Sequence, residues 1–285
     1  MAGQVVVATG GWSAAEWYPP GLPAGERLRS LAERLDAVEI DSSFYALPAA
    51  RTVERWAKDT PERFTFTAKL HRALSRHAAP LKSLPTDLRD GVRETERGRV
   101  VLDDELEAAL CARTLEVFEP LFAAGRLSCL LLQLTPAFNP ADHRLTELEP
   151  LVQALAPVPV AIELRHRDWL QRRDATLGWF REVGAAFVSV DAPRTDAPVA
   201  MPPEDAVTRH DLAYLRAHGR NAEAYLRGRS AAERFDYAYS DAELRELAGR
   251  ARKLAEDAER VVCVLSNGGH ALESALALRE RLRST

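Results

Sequence analysis

The stretch Ala37-Val38-Glu39-Ile40-Asp41 alternates apolar and acidic residues, and this alternation predicts an extended strand. Successive side chains of a strand point to opposite faces, so Val38 and Ile40 share one face and both carboxylates share the other. A helical pattern over residues 50–58 follows after a short loop. A strand followed by a helix is the repeating unit of α/β folds with a parallel sheet.

The same unit recurs along the chain. Strand patterns occupy residues 4–9, 37–41, 63–69, 128–133, 158–163, 186–191, 211–216 and 261–266. Helical patterns occupy residues 26–35, 50–58, 104–124, 142–156, 174–183, 241–259 and 271–282. Eight parallel strands close into the common barrel, so we predict an α/β fold, a (β/α)8 barrel of the TIM type. An open doubly wound sheet is the alternative.

Two connections depart from this regular pattern. Residues 71–103 are long, charged and rich in proline, and we interpret them as a βα-loop insertion on the functional face. Residues 194–210 contain several prolines and no helical pattern, which predicts a crossover without a helix. The chain is therefore expected to form a single barrel domain over residues 1–285.

Composition excludes several classes of protein. The chain has 285 residues, 46% of them hydrophobic and 28% charged, with a net charge of −4. These values are typical of a globular protein and predict no broad surface for nucleic acid or an anionic membrane. Cys111, Cys129 and Cys263 are widely spaced in apolar segments, so we expect reduced core cysteines. No apolar run approaches a membrane span, and we expect a cytoplasmic protein.

Polar side chains gather at the carboxyl ends of six predicted strands. They are Glu39 and Asp41, Lys69 with two threonines, Gln133, Glu163 and Arg165, Ser189 and Asp191, and Arg216 and His218. Within each strand they share one parity, and the apolar residues share the other, so we predict that the polar sets point into the barrel. Barrel enzymes place their chemistry at this end. A buried ion-pair network that only stabilises the barrel, such as Glu163 with Arg216, is the alternative.

Residue types at these ends suggest acid–base chemistry on a charged ligand. Lys69, Arg165 and Arg216 would form a cationic clamp for a phosphate or carboxylate, and Lys69 could instead act as an amine base or nucleophile. We predict Glu163, His166, Lys69 and Asp191 as catalytic residues. Predicted substrate contacts come from strand ends and neighbouring loops: Glu39, Asp41, Gln133, Arg165, Arg216, His218, Asn267, Trp12 and Tyr45. The sequence requires no cofactor and leaves a divalent metal open, with Glu163, His166, Asp191 and His218 as its ligands.

Several motifs in order resemble the domain-of-unknown-function 72 (YecE-like) family. They lie at residues 9–13, 38–45, 52–56, 66–69, 133–136, 163–166 and 214–219, with Trp17 and Trp169 nearby. The resemblance implies a TIM-type barrel and no established activity. The chain departs from the family pattern at Asp41, where an asparagine is usual, at Ala14, and in the stretch after the last strand.

These observations support three functions. The leading hypothesis is an enzyme that acts on a small anionic or sugar-like substrate, as a hydrolase, lyase or isomerase. The second is a metal-dependent phosphodiesterase similar to endonuclease IV barrels, although the net charge makes nucleic acid an unfavourable partner. The third is a protein that binds a small molecule or acts as a scaffold without catalysis.

Overall fold

The computed structural model describes residues 2–228 and 230–284, and within them eight parallel strands form a closed barrel in chain order. The strands are β1 (Gln4–Gly10), β2 (Ala37–Ile40), β3 (Thr65–Lys69), β4 (Leu127–Gln133), β5 (Val160–Glu163), β6 (Ala186–Asp191), β7 (Ala213–Ala217) and β8 (Arg260–Leu265). Pairing of β8 with β1 completes the ring. The predicted TIM-type barrel is confirmed, and the open sheet is excluded.

Helices surround the barrel. They are α1 (Arg27–Arg34), α2 (Ala50–Lys58), α3 (Asp104–Ala123), α4 (Glu149–Ala154), α5 (Arg173–Val183), α6 (Ala222–Arg227), α7 (Ala231–Phe235), α8 (Asp241–Asp257) and α9 (Ala271–Arg283). The cap of α3 is Asp103, whose carboxylate accepts a hydrogen bond from the Leu106 N–H at 3.1 Å. At α8, Ser240 and Glu243 form a capping box.

Two parts of the helix prediction need correction. The pattern over residues 142–156 is a 3-10 turn at Leu145–Leu148 followed by the short α4. The helices α6 and α7 were not predicted, because each is too short to display an apolar period. Their caps are Asn221 and Ser230, which accept hydrogen bonds from backbone N–H groups in the first turn.

Two connections of the barrel are irregular. Residues 192–212, all of them described, contain no helix. Thr208 ties this segment to β6, because its hydroxyl accepts a hydrogen bond from the Phe187 N–H at 2.8 Å, and Met201 is buried beneath it. Residues 71–103 connect β3 to α3 through the 3-10 turns Leu81–Ser83 and Thr86–Leu88.

Strand register determines which side chains enter the barrel. Paired positions on neighbouring strands face the same side, and the register pairs Glu39 with Thr67 and Gln133 with Glu163. The register also pairs Arg216 with Val190. Apolar side chains fill the lower barrel, and the polar set lies above them at the carboxyl ends. Among the described residues, no helix has the length and apolar character needed to cross a bilayer.

Candidate active site

The Arg216 guanidinium lies at the centre of the candidate site, between carboxylates from β2 and β5. Its side chain is only 1% exposed. Nη2 donates to Glu39 Oε1 at 2.7 Å, and Nη1 donates to Glu163 Oε2. Burial favours the neutral guanidine, but the two carboxylates outweigh burial and raise the pKa of Arg216. The buried ion pair between Glu163 and Arg216 that the sequence left open is therefore present.

Glu163 is surrounded by donors on both carboxylate oxygens. Oε1 accepts from Gln133 Nε2 at 2.9 Å and from Arg165 Nη1 at 3.0 Å, while Oε2 accepts from Arg216. His218 Nε2 lies 3.1 Å from Oε1 and, facing a carboxylate, carries the proton. Burial opposes ionisation of Glu163, but Arg216 and His218 with the other donors hold its pKa well below the ordinary value.

His218 is neutral near pH 7. Its side chain is buried, and burial lowers its pKa to about 4 in spite of the adjacent Glu163 carboxylate. Phe235 of α7 covers the imidazole, with ring centroids 5.3 Å apart. His218 is therefore a neutral hydrogen-bond donor to Glu163 at physiological pH.

Glu39 is equally buried but has a different balance of forces. Tyr214 OH donates to its Oε2 at 2.7 Å, and Thr67 Oγ1 lies 2.9 Å from the same phenol. Burial raises the pKa of Glu39, Arg216 and Lys69 only partly oppose it, and with the added effect of the Asp41 carboxyl the pKa reaches about 7. Glu39 is therefore poised to exchange a proton near neutral pH.

Asp41 and Lys69 form an ion pair directly above Glu39. Lys69 Nζ lies 2.9 Å from Asp41 Oδ1 and 3.9 Å from Glu39 Oε1. The Asp41 side chain is 36% exposed and that of Lys69 is 14% exposed, so both reach solvent. Burial opposes ionisation of Asp41, but Lys69 and Arg216 outweigh burial and lower its pKa. Two neighbouring carboxyl groups thus have pKa values displaced in opposite directions.

A cavity of about 580 Å³ opens above these groups. Charged and polar residues on its wall are Asp41, Lys69, His77, Gln133, Arg165, Arg216, His218, Arg234 and Ser266. Its aromatic residues are Trp17, Phe44, Tyr45 and Phe235, and Tyr45 is 60% exposed at the rim. The volume and the mixed lining are those of a small-molecule site.

Asp191 does not join this cavity, and the predicted inward parity of its strand is wrong. Because Val190 pairs with the inward-facing Arg216, the interior side of β6 carries valines, and Asp191 faces the helices. Its carboxylate accepts hydrogen bonds from Arg250 of α8 at 3.0 Å, from Arg220 at 2.7 Å and from Tyr239 OH at 2.7 Å. Asp191 therefore anchors the barrel wall.

Three other predicted site residues also lie away from the cavity and its charged cluster. His166 Nδ1 accepts a hydrogen bond from the Asp168 N–H and so caps the 3-10 turn Arg167–Arg172. Trp12 packs edge-on against Trp56 of α2, with centroids 5.2 Å apart. Asn267 is buried and donates to Tyr237 O and Ser274 Oγ. The remaining predicted residues gather at this end of the barrel: Asp41, Tyr45, Lys69, Gln133, Arg165, Arg216 and His218 line the cavity, and the buried Glu39 and Glu163 lie behind them.

The conditional metal ligands do not form a metal site. Glu163 and His218 are adjacent, but His166 and Asp191 point elsewhere. Over residues 2–228 and 230–284, no three His, Cys, Asp or Glu side chains are grouped so that they could hold a metal ion. Glu163 also has arginine donors on both oxygens, which leaves it poorly suited to a cation.

Sequence reasoning missed several residues of the site. Tyr214 has the same strand parity as Arg216, and Ser266 has the parity of the interior positions of β8. Strand alternation alone was therefore enough to identify both residues. Arg234 and Phe235 belong to α7, which had no sequence signal. His77 comes from residues 71–103 and lies on the cavity wall.

Comparison with known proteins agrees with this architecture. The family model described as "Protein of unknown function DUF72" matches residues 6–285. The UPF0759 protein YunF of Bacillus subtilis is 24% identical over 273 residues, which cover 93% of this chain and 89% of YunF. The solved DUF72 protein EF0366 of Enterococcus faecalis has a TM-score of 0.80 at 24% identity, covering 98% of this chain and 95% of that one. The DUF72 protein TM1631 of Thermotoga maritima has a TM-score of 0.76 at 26% identity, covering 98% of both chains.

Proposed function

This chain belongs to the DUF72 family, whose name assigns no activity, and we propose that it is an enzyme that acts on a small anionic or sugar-like substrate by acid–base catalysis. The observation that carries the proposal is the pair Glu39 and Asp41 beside Lys69. One carboxyl group has a pKa raised to about 7, and the other has a lowered pKa. Carboxyl groups whose pKa values are displaced in opposite directions are the pattern of an acid–base pair.

The roles follow from exposure. Asp41 and Lys69 reach the cavity and would contact the substrate, Asp41 as an ionised carboxylate that accepts a hydrogen bond and Lys69 by holding developing negative charge. Glu39 is buried directly behind them and would supply or store the proton, since Lys69 Nζ lies near both its carboxyl group and that of Asp41. The neutral phenol of Tyr214 keeps the Glu39 carboxyl in position.

Glu163 has a different role in this proposal from the one the sequence suggested. Its lowered pKa and its donors on both oxygens make it a poor proton carrier near neutral pH. Instead it would hold Arg165, Arg216 and His218 in one arrangement beneath the cavity. The positions of His166 and Asp191 outside the cavity give no support to a catalytic role for either residue.

The decisive measurement is a carbon-13 NMR titration of the glutamate side-chain carboxyls, with Glu39→Gln used to assign the signal. We expect Glu39 to titrate with a midpoint near 7. A midpoint for Glu39 at or below the ordinary value of 4.5 would contradict the enzyme proposal and favour a protein that binds its ligand without catalysis.

A turnover screen tests the same proposal chemically. Phosphorylated, carboxylated and sugar compounds are offered to the wild type, Glu39→Gln and Asp41→Asn, and consumption is followed by NMR. Loss of a positioned acid–base group is expected to lower kcat by about 10²–10⁴-fold. A substrate that Glu39→Gln and Asp41→Asn turn over as fast as the wild type would overturn the assignment.

A further inference from the structure

Among the described residues that line the cavity, one cation has no carboxylate partner. Lys69 is paired with Asp41, Arg165 with Glu163, and Arg216 with both Glu39 and Glu163. These cations therefore meet carboxylates of the protein itself and are not a free clamp for a ligand.

Arg234 is the lining cation that differs. It lies near the end of α7 and is exposed, and its Nε donates to Gly228 O at 2.6 Å. Within the part of the chain that the structure describes, its guanidinium forms no ion pair with a carboxylate. Its stem packs against Gly228, where an added Cβ would lie 2.7 Å from Arg234 Cγ. The glycine thus allows the side chain to lie along the turn between α6 and α7, beside the mouth.

The neighbouring arginines provide donors of the same kind. Arg165 Nε and Arg216 Nε are buried, and neither has a hydrogen-bond partner among the described residues. Both are N–H donors that cannot lose their proton at physiological pH, so an oxygen acceptor is the group that suits them. Arg165 and Arg216 line the same cavity as Arg234, so the donors on its wall favour a negatively charged or carbonyl oxygen over a cation.

An apolar wall stands next to Arg234. Phe235 follows it in sequence and lies over His218, and Trp17 and Phe44 line the same cavity. Aromatic faces beside a cation suit a ligand that combines a flat apolar body with one anionic group.

We propose that Arg234 binds a single carboxylate or phosphate group on a planar apolar substrate, whose other end reaches Asp41 and Lys69. This inference rests on the proposed function, because it assigns opposite ends of one substrate to the anion receptor and to the acid–base pair. It names Arg234 and Phe235 as determinants of substrate choice.

The test compares matched aromatic probes by isothermal titration calorimetry at low ionic strength. Benzoate and phenyl phosphate carry the anion, and benzamide is the neutral isostere of benzoate. We expect the wild type to bind at least one anionic probe about tenfold more tightly than benzamide, the difference expected for one charge-assisted hydrogen bond. Arg234→Gln is expected to abolish that preference and to leave the affinity for benzamide unchanged.

The control is Arg227→Gln, which removes an exposed arginine of α6 that is paired with Glu223. It is expected to keep the preference for the anion. Equal binding of the anionic and neutral probes by the wild type would overturn the inference, and so would an unchanged preference in Arg234→Gln. Preference for phenyl phosphate alone identifies a phosphate receptor, and preference for benzoate alone identifies a carboxylate receptor. The Glu39 titration is independent of these probes, so failure of the anion receptor and failure of the acid–base proposal are distinguishable.

Discussion

Glu39 and Glu163 are two buried glutamates bound to opposite ends of the same guanidinium, and their pKa values move in opposite directions. Around Glu163, Arg165, Gln133 and His218 add to the contact with Arg216. Around Glu39, the direct donors besides Arg216 reduce to one phenol, and the Asp41 carboxyl lies nearby. Burial is equal on both sides, so the number and sign of the neighbouring groups decide the protonation state. Glu163, on one side of Arg216, is held ionised, and Glu39, on the other side, is placed to titrate.

The largest expected effect comes from removing the group that both halves share. Arg216→Met leaves two buried glutamates without their common cation, and we expect a loss of about 3–5 kcal/mol in the free energy of unfolding at pH 7. The measurement is urea unfolding followed by circular dichroism. Arg227→Met, at an exposed ion pair, is the control and should change stability by less than about 1 kcal/mol.

An Arg216→Met protein as stable as the wild type would mean that the two carboxylates do not depend on the guanidinium. Insoluble Arg216→Met beside soluble Arg227→Met points the same way as a large loss of stability. Either result concerns the contact of Arg216 with both glutamates and does not distinguish Glu39 from Glu163.

The pH dependence of stability separates the contribution of Glu39 from that of Glu163. The raised pKa of Glu39 means that the folded protein binds its proton more tightly than the unfolded chain, so this group's stabilisation is present below pH 4.5 and is lost as pH rises through about 7. The lowered pKa of Glu163 has the opposite sign, and its stabilisation is lost as pH falls below 4.5.

Histidines complicate the wild-type profile, so the measured quantity is a difference. His71 and His218 have pKa values lowered to about 4, and stability gained from their neutral forms rises between pH 4 and 6.5. We therefore expect the stability of the wild type minus that of Glu39→Gln to fall by on the order of 3 kcal/mol from pH 5 to pH 8. A difference that stays flat from pH 5 to pH 8 would show that Glu39 does not titrate in this range.

Much of the fold and part of the side-chain arrangement of the candidate site could be predicted from the sequence. The alternation of Val38-Glu39-Ile40-Asp41 puts both carboxylates on the interior side of β2, and the same reasoning holds for Lys69, Gln133, Glu163 and Arg216, but not for Asp191 of β6. Parity separates two faces of a strand but does not say which face is interior. In β6 that choice depends on Arg250, a residue of α8 that is 59 positions away from Asp191 along the chain.

The protonation states could not be predicted in the same way. Whether a glutamate is ionised depends on donors contributed by several strands, and their distances exist only once the barrel closes. Arg234 and Phe235 were missed for a different reason, since five-residue α7 lacks the periodic apolar pattern that marks a longer helix.

The smallest expected effect is that of substituting Asp191. This variant tests whether the site ends at the interior side of β6. The Asp191 carboxylate ties Arg250, Arg220 and Tyr239 together on the outer side of β6. Asp191→Asn should lower the free energy of unfolding by about 1–3 kcal/mol, because it weakens charge-assisted hydrogen bonds in a buried cluster. The titration midpoint of Glu39 and the preference for an anionic probe should stay as in the wild type. A shift of the Glu39 midpoint by a full pH unit in this variant would mean that the wall behind β6 and the acid–base pair are one coupled system, and the site would then extend through the barrel wall.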